Sequence, residues 1–176
     1  MALSATINKV SLNIADMDRH YYQTHKLTVA QHPSETDFRF MIRLIAFALN
    51  ASDELQFTKG LCAEDEPEIC VESLTGDKEL WISFGQLDEK RIRKACALAT
   101  KVIVYTYNHK KSQVWWNQIS NQLGRFNNLV VVHINAESVE KLLARNLDLQ
   151  CNIQDEEMTL STLEAECVVS FDVLKS

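Results

Sequence analysis

The chain opens on a loose alternation of apolar and polar residues. Ile7, Val10, Leu12 and Ile14 stand among polar neighbours within residues 3–14, which predicts a strand with one buried face. Ala15-Asp16-Met17-Asp18 has turn chemistry, and a second strand from Tyr21 to Ala30 would complete an N-terminal hairpin. The period then lengthens. Phe38, Met41, Ile42, Ile45 and Leu49 follow at helical spacing, preceded by His32-Pro33-Ser34-Glu35-Thr36-Asp37, where Ser34 can cap and the acids suit the positive end of the dipole. This predicts a helix with one face on a core, and with Arg39 and Arg43 at successive i+4 steps from Glu35.

Residues 53–66 show neither period and end in Glu64-Asp65-Glu66. Strands are predicted over Glu68–Leu74 and Glu79–Phe84, joined by Thr75-Gly76-Asp77-Lys78, with Gly85 closing the second. Asp88–Thr100 reads as a helix buried along Ile92, Ala95, Cys96 and Ala99, with Lys90 and Lys94 on the other face. The run from Lys101 to Tyr107 is apolar almost throughout, as a strand covered on both sides requires. A helix over Ser112–Leu123, a covered strand over Leu129–Ile134 and a helix over Ala136–Ala144 follow. A hairpin over Leu147–Ile153 and Met158–Leu160 and a last strand over Ala165–Leu174 complete the series. Helices interleaved with strands of both kinds predict an α/β protein, a mixed sheet with helices on its faces.

Composition agrees with a core and narrows the class. At 176 residues, 46% apolar and 24% charged, with four Gly and two Pro, the expected organisation is a single domain over residues 1–176 without long linkers. No apolar run approaches the length of a membrane span, and the N-terminal residues lack the pattern of a secretory signal, so a cytoplasmic location is expected. Five cysteines, Cys62, Cys70, Cys96, Cys151 and Cys167, form no C-x-x-C pair, which suggests free buried thiols.

Charge changes the picture more. The net charge is −6, yet from Lys90 to Ala136 there is no Asp or Glu against eight basic residues: Lys90, Arg91, Arg93, Lys94, Lys101, Lys110, Lys111 and Arg125. A segment of +8 leaves −14 for the remainder. Such asymmetry suits a local anion-binding face, and it equally suits charges scattered over solvated surfaces.

Several stretches together carry a resemblance over nearly the whole chain: His32-Pro33-Ser34-Glu35-Thr36, Phe57-Thr58-Lys59-Gly60-Leu61, Asp65-Glu66-Pro67-Glu68, Leu80-Trp81-Ile82, Asp88-Glu89-Lys90-Arg91-Ile92-Arg93-Lys94-Ala95, Val104-Tyr105-Thr106-Tyr107-Asn108, Trp115-Trp116 and Ile153-Gln154-Asp155. In these the sequence resembles the bacterial YaeQ family, and the resemblance implies a PD-(D/E)xK restriction-endonuclease-like core with hairpin additions at both ends. Such cores hold Mg2+ or Mn2+ on carboxylates, which bind the scissile phosphate and acidify a water, while a lysine supports the developing charge. Carried over by position, the resemblance implies Glu35 and Glu68 as catalytic acids and Glu35, Asp65 and Glu68 as metal ligands. It also exposes two departures. Ser83 stands where the family usually has an acid, and Gly85 where the motif lysine belongs, so that Lys90 or Lys94 would have to reach back from the next helix.

Two functional readings follow. One is a nucleic-acid-interacting protein on a nuclease-like scaffold, a metal-dependent phosphodiesterase with a degraded site, whose Lys110, Lys111, Arg125 and Trp116 contact phosphates and bases. The other is a non-catalytic regulatory protein that uses the same scaffold to hold a protein partner. Glu35 also has a purely structural use, pairing with Arg39, and of Trp115 and Trp116 only one can face the core, because adjacent helical positions lie about 100° apart.

Overall fold

The structure, a computed structural model, describes residues 3–58 and 65–176. In chain order the elements are β1 (Thr6–Asp16), β2 (Tyr21–Gln31), α1 (Asp37–Asn50), β3 (Gln56–Phe57), β4 (Ile69–Glu72), β5 (Lys78–Phe84), α2 (Glu89–Leu98) and β6 (Ala99–Thr106). Then come α3 (His109–Leu123), β7 (Leu129–Asn135), a 3-10 turn (Val139–Leu142), β8 (Asn146–Gln154), β9 (Glu157–Ser161) and β10 (Glu166–Lys175). The chain is thus a mixed α/β protein. It divides into two compact units, Met1–Leu49 with Ala136–Phe171, and Asn50–Asn135 with Asp172–Ser176.

In the first unit the strands follow the order β2-β1-β8-β9-β10. β1 and β2 pair antiparallel from Thr6↔Gln31 to Asp16↔Tyr21, and β8 lies parallel on the other side of β1. Val10, Leu12 and Ile14 face inward while Lys9 stays out, the alternation expected of a half-buried strand. The β1–β2 turn is fixed by Asp16, whose carboxylate accepts from the Arg19 backbone N–H at 3.0 Å and from its Nε at 2.6 Å. Arg19 in turn donates to the Ala48 carbonyl at the end of α1, where a positive charge is favoured. Asp155 and Glu156 turn the β8–β9 hairpin with positive φ at both positions, and Asp18 accepts both of their N–H groups at 2.9 Å.

In the second unit β7, β6 and β5 run parallel, and β5, β4 and β3 form an antiparallel meander. α2 and α3 are anchored on a core that includes Trp81, Leu87, Ile92, Val104, Trp115 and Leu123. Two side chains lock its connections: Trp115 Nε1 donates to the Leu87 carbonyl at 2.7 Å, and Asn128 Nδ2 donates to the Cys96 and Ala99 carbonyls, each at 2.9 Å. Gly85, at φ +94°, turns the chain out of β5 while its N–H donates to the Tyr105 carbonyl.

Several expectations need correction. α1 begins at Asp37 rather than around Ser34. Thr36 supplies the cap, its Oγ1 accepting from Arg39 N–H at 3.2 Å, while Ser34 is engaged by the His32 ring. α1 is buried at every residue from Phe40 to Ala48, not along one face, and Arg43 is carried inside with the rest. The helix expected over Ala136–Ala144 is only the 3-10 turn Val139–Leu142, after Ser138 at φ +60°. α2 stops at Leu98 because Ala99 and Thr100 already belong to β6, and α3 starts at His109, three residues early. Residues 53–66 contain the short strand β3, and their remainder from 59 to 64, with Cys62, lies outside the described residues.

Candidate functional site

The acids singled out above fall in different units. Glu35 belongs to the first. It sits just before α1, 7% exposed, and the i+4 spacing brings two guanidinium groups onto its carboxylate. Arg39 Nη1 donates to Oε1 at 3.0 Å, and Arg43 Nη1 donates to Oε2 at 3.0 Å and to the Ala30 carbonyl at 3.1 Å. Both carboxylate oxygens are therefore held by arginine, and a metal ion at Glu35 would have to displace charge-assisted hydrogen bonds in a buried setting.

Asp65 and Glu68 belong to the second unit. Asp65 is exposed and its Oδ1 meets Lys94 Nζ at 2.5 Å. That hydrogen bond, with the Lys94 charge, holds the Asp65 carboxyl below the usual carboxylate range; Arg91 and Lys90 add to the effect and desolvation opposes it. Three of the four basic residues of α2 thus act on one carboxylate, Lys94 by direct contact and Arg91 and Lys90 through their charge. Glu68 is partly buried at the entry to β4, where its N–H donates to the Ile82 carbonyl at 2.9 Å and its carbonyl accepts from Thr58 N–H at 3.1 Å. The β4–β5 register begins at Ile69↔Ile82, and the Glu68 bond to Ile82 places Glu68 just outside it, at the end of the ladder where Ser83 follows Ile82.

Ser83 is 5% exposed and accepts from Trp81 Nε1 at 2.9 Å, two residues back along the same face. It lines a cavity of about 10 Å³ together with Trp81, Leu87, Arg91, Ile92 and Ala95. The Nε of Arg91 is buried without a hydrogen-bond partner among the described residues. The backbone also disfavours a lysine at position 85, where the resemblance implied one. Gly85 occupies the left-handed region at φ +94°, where a lysine would be strained although space is open around its α-carbon.

The predicted nucleic-acid residues are spread along α3 and past its end. Lys110 and Lys111 are exposed in the first turn, which contains no acid, and neither makes an ion pair among the described residues. Trp115 is buried and Trp116 half-buried, packed on the same core. Arg125 is paired with Glu89, which also meets Arg93 at 3.9 Å, and its guanidinium lies 4.9 Å from the Phe126 ring centre.

A family model described as "YaeQ protein" matches residues 1–171. The chain belongs to the YaeQ family. It is 44% identical over 164 residues to the uncharacterized protein YaeQ of Escherichia coli, covering 92% of this chain and 91% of that protein, and 43% identical over the same length to that of Salmonella typhi. Among solved structures it is similar to the YaeQ protein of Xanthomonas axonopodis pv. citri, with a TM-score of 0.95 at 40% identity over 98% of this chain and 99% of that one. The YaeQ protein of Pseudomonas syringae gives 0.91 at 26% identity over 98% and 97%.

On this YaeQ scaffold, the described residues include no group of three or more His, Cys, Asp or Glu arranged to hold a metal ion, and no helix long and apolar enough to cross a membrane. Cys70, Cys96, Cys151 and Cys167 form no disulfide, and burial raises all four thiols, Cys96 to about 11 and Cys151 to about 12. Two features escaped the sequence reading. In the sequence Arg91 is only one charge among eight, flanked at i−1 and i+3 by Lys90 and Lys94. Nothing in the spacing of the histidines marks His133, yet parallel pairing of β6 with β7 sets it opposite Thr106, and its ring lies 5.7 Å from that of His109.

Proposed function

We propose that this chain contacts nucleic acid through its phosphates, using the basic residues of α2 and the start of α3. The observation that carries the reading is the exposed Lys94–Asp65 pair at 2.5 Å, in the field of Arg91 and Lys90 on the same helix. An ion pair this open to solvent contributes little to stability, so Lys94 can exchange Asp65 for a phosphate at small cost. The scaffold supports the same reading: the meander β3-β4-β5, followed by α2 and the parallel strand β6, has the connectivity of PD-(D/E)xK cores. With contacts from Lys90, Lys94, Lys110 and Lys111, counterion release predicts an affinity for single-stranded DNA or RNA that falls roughly fiftyfold between about 50 and 200 mM salt. Fluorescence anisotropy with labelled oligonucleotides measures this, and an affinity indifferent to salt contradicts it.

A second reading, metal-dependent phosphodiester cleavage, draws on Asp65 and Glu68 lying in one unit just before β4, next to β5, which carries Ser83. Asp65 and Glu68 would then hold Mg2+ or Mn2+, with a neutral hydroxyl where a third carboxylate is usual. Calorimetric titration of either cation separates the readings. Saturable binding abolished by Glu68→Ala supports the metal site, whereas no binding at millimolar cation leaves a phosphate-contacting or partner-holding protein.

A further inference from the structure

One small cavity of the second unit is lined mostly by apolar side chains, yet two polar ones reach it. Parallel pairing of β5 with β6 sets Trp81 beside Val102 and Ser83 beside Val104, and all four line the cavity. Leu87 and the α2 residues Arg91, Ile92 and Ala95 complete the lining. At about 10 Å³ the space admits a single water-sized body.

Both polar side chains come to the cavity with a donor that has no acceptor. Ser83 is 5% exposed, and its Oγ accepts from Trp81 Nε1 at 2.9 Å. The hydroxyl makes no other hydrogen bond among the described residues, so its proton is left to give. The Nε of Arg91 is buried and has no hydrogen-bond partner among the described residues. Asp65, whose carboxyl the Arg91 charge helps to hold low, is taken by Lys94 at 2.5 Å. A buried donor without an acceptor is costly, and more so on a charged group. Here two of them belong to side chains that line one cavity.

The lining selects the occupant. A water molecule would accept from both donors but bring two protons of its own, and no lining side chain takes them. Ser83 Oγ already accepts from Trp81, and it cannot both give its proton to that water and receive one back. An anionic atom has no protons to place, uses both donors and offsets the guanidinium charge. We propose that Ser83 and Arg91 hold a single anionic acceptor atom, a halide ion or one oxygen of a phosphate. The inference does not rest on nucleic-acid binding, because a free ion satisfies both donors.

Quadrupolar broadening of the chloride NMR line, measured at constant ionic strength with methanesulfonate as the balancing anion, reads halide binding, and inorganic phosphate as competitor distinguishes the two sources. The expected result is saturable broadening with the parent, weakened roughly tenfold or more in Ser83→Ala, Arg91→Met and Arg91→Lys. The last variant keeps the charge and removes the Nε–H. Phosphate that reverses the broadening supports entry of a phosphate oxygen, and phosphate without effect on it supports a halide alone. No saturable broadening with the parent, or broadening that survives in Arg91→Lys, overturns the site. Crystals of the parent grown in bromide decide the matter even where a variant does not fold. An anomalous peak within hydrogen-bond distance of Ser83 Oγ and Arg91 Nε is expected, and a water or an empty cavity there overturns the proposal.

Discussion

Glu35 and Asp65 are both carboxylates met by cationic side chains, and their surroundings give them opposite roles. Glu35 is inside the first unit, its two oxygens shared between Arg39 and Arg43, with side-chain exposures of 0%, 15% and 3%. Asp65 is at the surface of the second unit with a 73% exposed side chain, and its Lys94 partner is 50% exposed. In the first case water cannot replace either partner, so removing one strands a charge in a medium that solvates it poorly. In the second, water and mobile ions compete for both groups throughout. Sequence resemblance treats the two acids alike, as members of one metal-binding set. The geometry assigns the first to holding the fold and leaves the second open to exchange.

The largest effect should come from breaking the buried set. Arg43→Met, which keeps most of the volume and removes the charge, is expected to lower unfolding free energy by about 3–5 kcal/mol in urea denaturation. A loss below about 1 kcal/mol would erase the distinction drawn between the two acids. Placing a lysine at position 85 by Gly85→Lys is next. The left-handed backbone at φ +94° should make it cost about 1–2 kcal/mol, and an unchanged melting temperature would show that the turn relaxes.

His133 gives a pH dependence. Its folded pKa lies below the ordinary value near 6.5, so between the two values the unfolded chain binds the proton and the folded one does not. Its contribution to stability is therefore full above pH 6.5, declines as pH falls below that value and levels off beneath the folded pKa. Comparing urea midpoints at descending pH in the parent and in His133→Gln isolates this term, and parallel profiles would rule it out. The smallest expected effect is Asp65→Asn, within about 0.5 kcal/mol of the parent in stability. Its oligonucleotide affinity sharpens the comparison, rising if Lys94 is released for phosphate and falling if Asp65 works by holding a metal.

Much of the architecture was legible because burial writes its period into the sequence. The alternation of Val10, Leu12 and Ile14 and the apolar run from Val102 to Tyr105 specify their strands, and Asp88 followed by Ile92 and Ala95 specifies α2, where the Asp88 side chain indeed accepts from Arg91 N–H. The i+4 steps from Glu35 to Arg43 were legible too, as was the unequal burial of Trp115 and Trp116. What the pattern could not disclose depends on contacts distant in sequence. Spacing shows one apolar stripe on α1 but not that the opposite side is also enclosed. The approach of His133 to His109 depends on the register of β6 with β7 and on where α3 begins. The unpartnered Nε of Arg91 depends on which side of α2 turns toward Ser83.

The claim that α2 carries phosphate contacts is tested most directly by the slope of log affinity against log salt for a single-stranded oligonucleotide, measured for the parent and for the double variant Lys90→Ala, Lys94→Ala. The account predicts that the slope becomes shallower by about 1.4, the share of two phosphate contacts on a single strand. A slope identical in the two proteins, or no measurable binding by the parent at low salt, would contradict it.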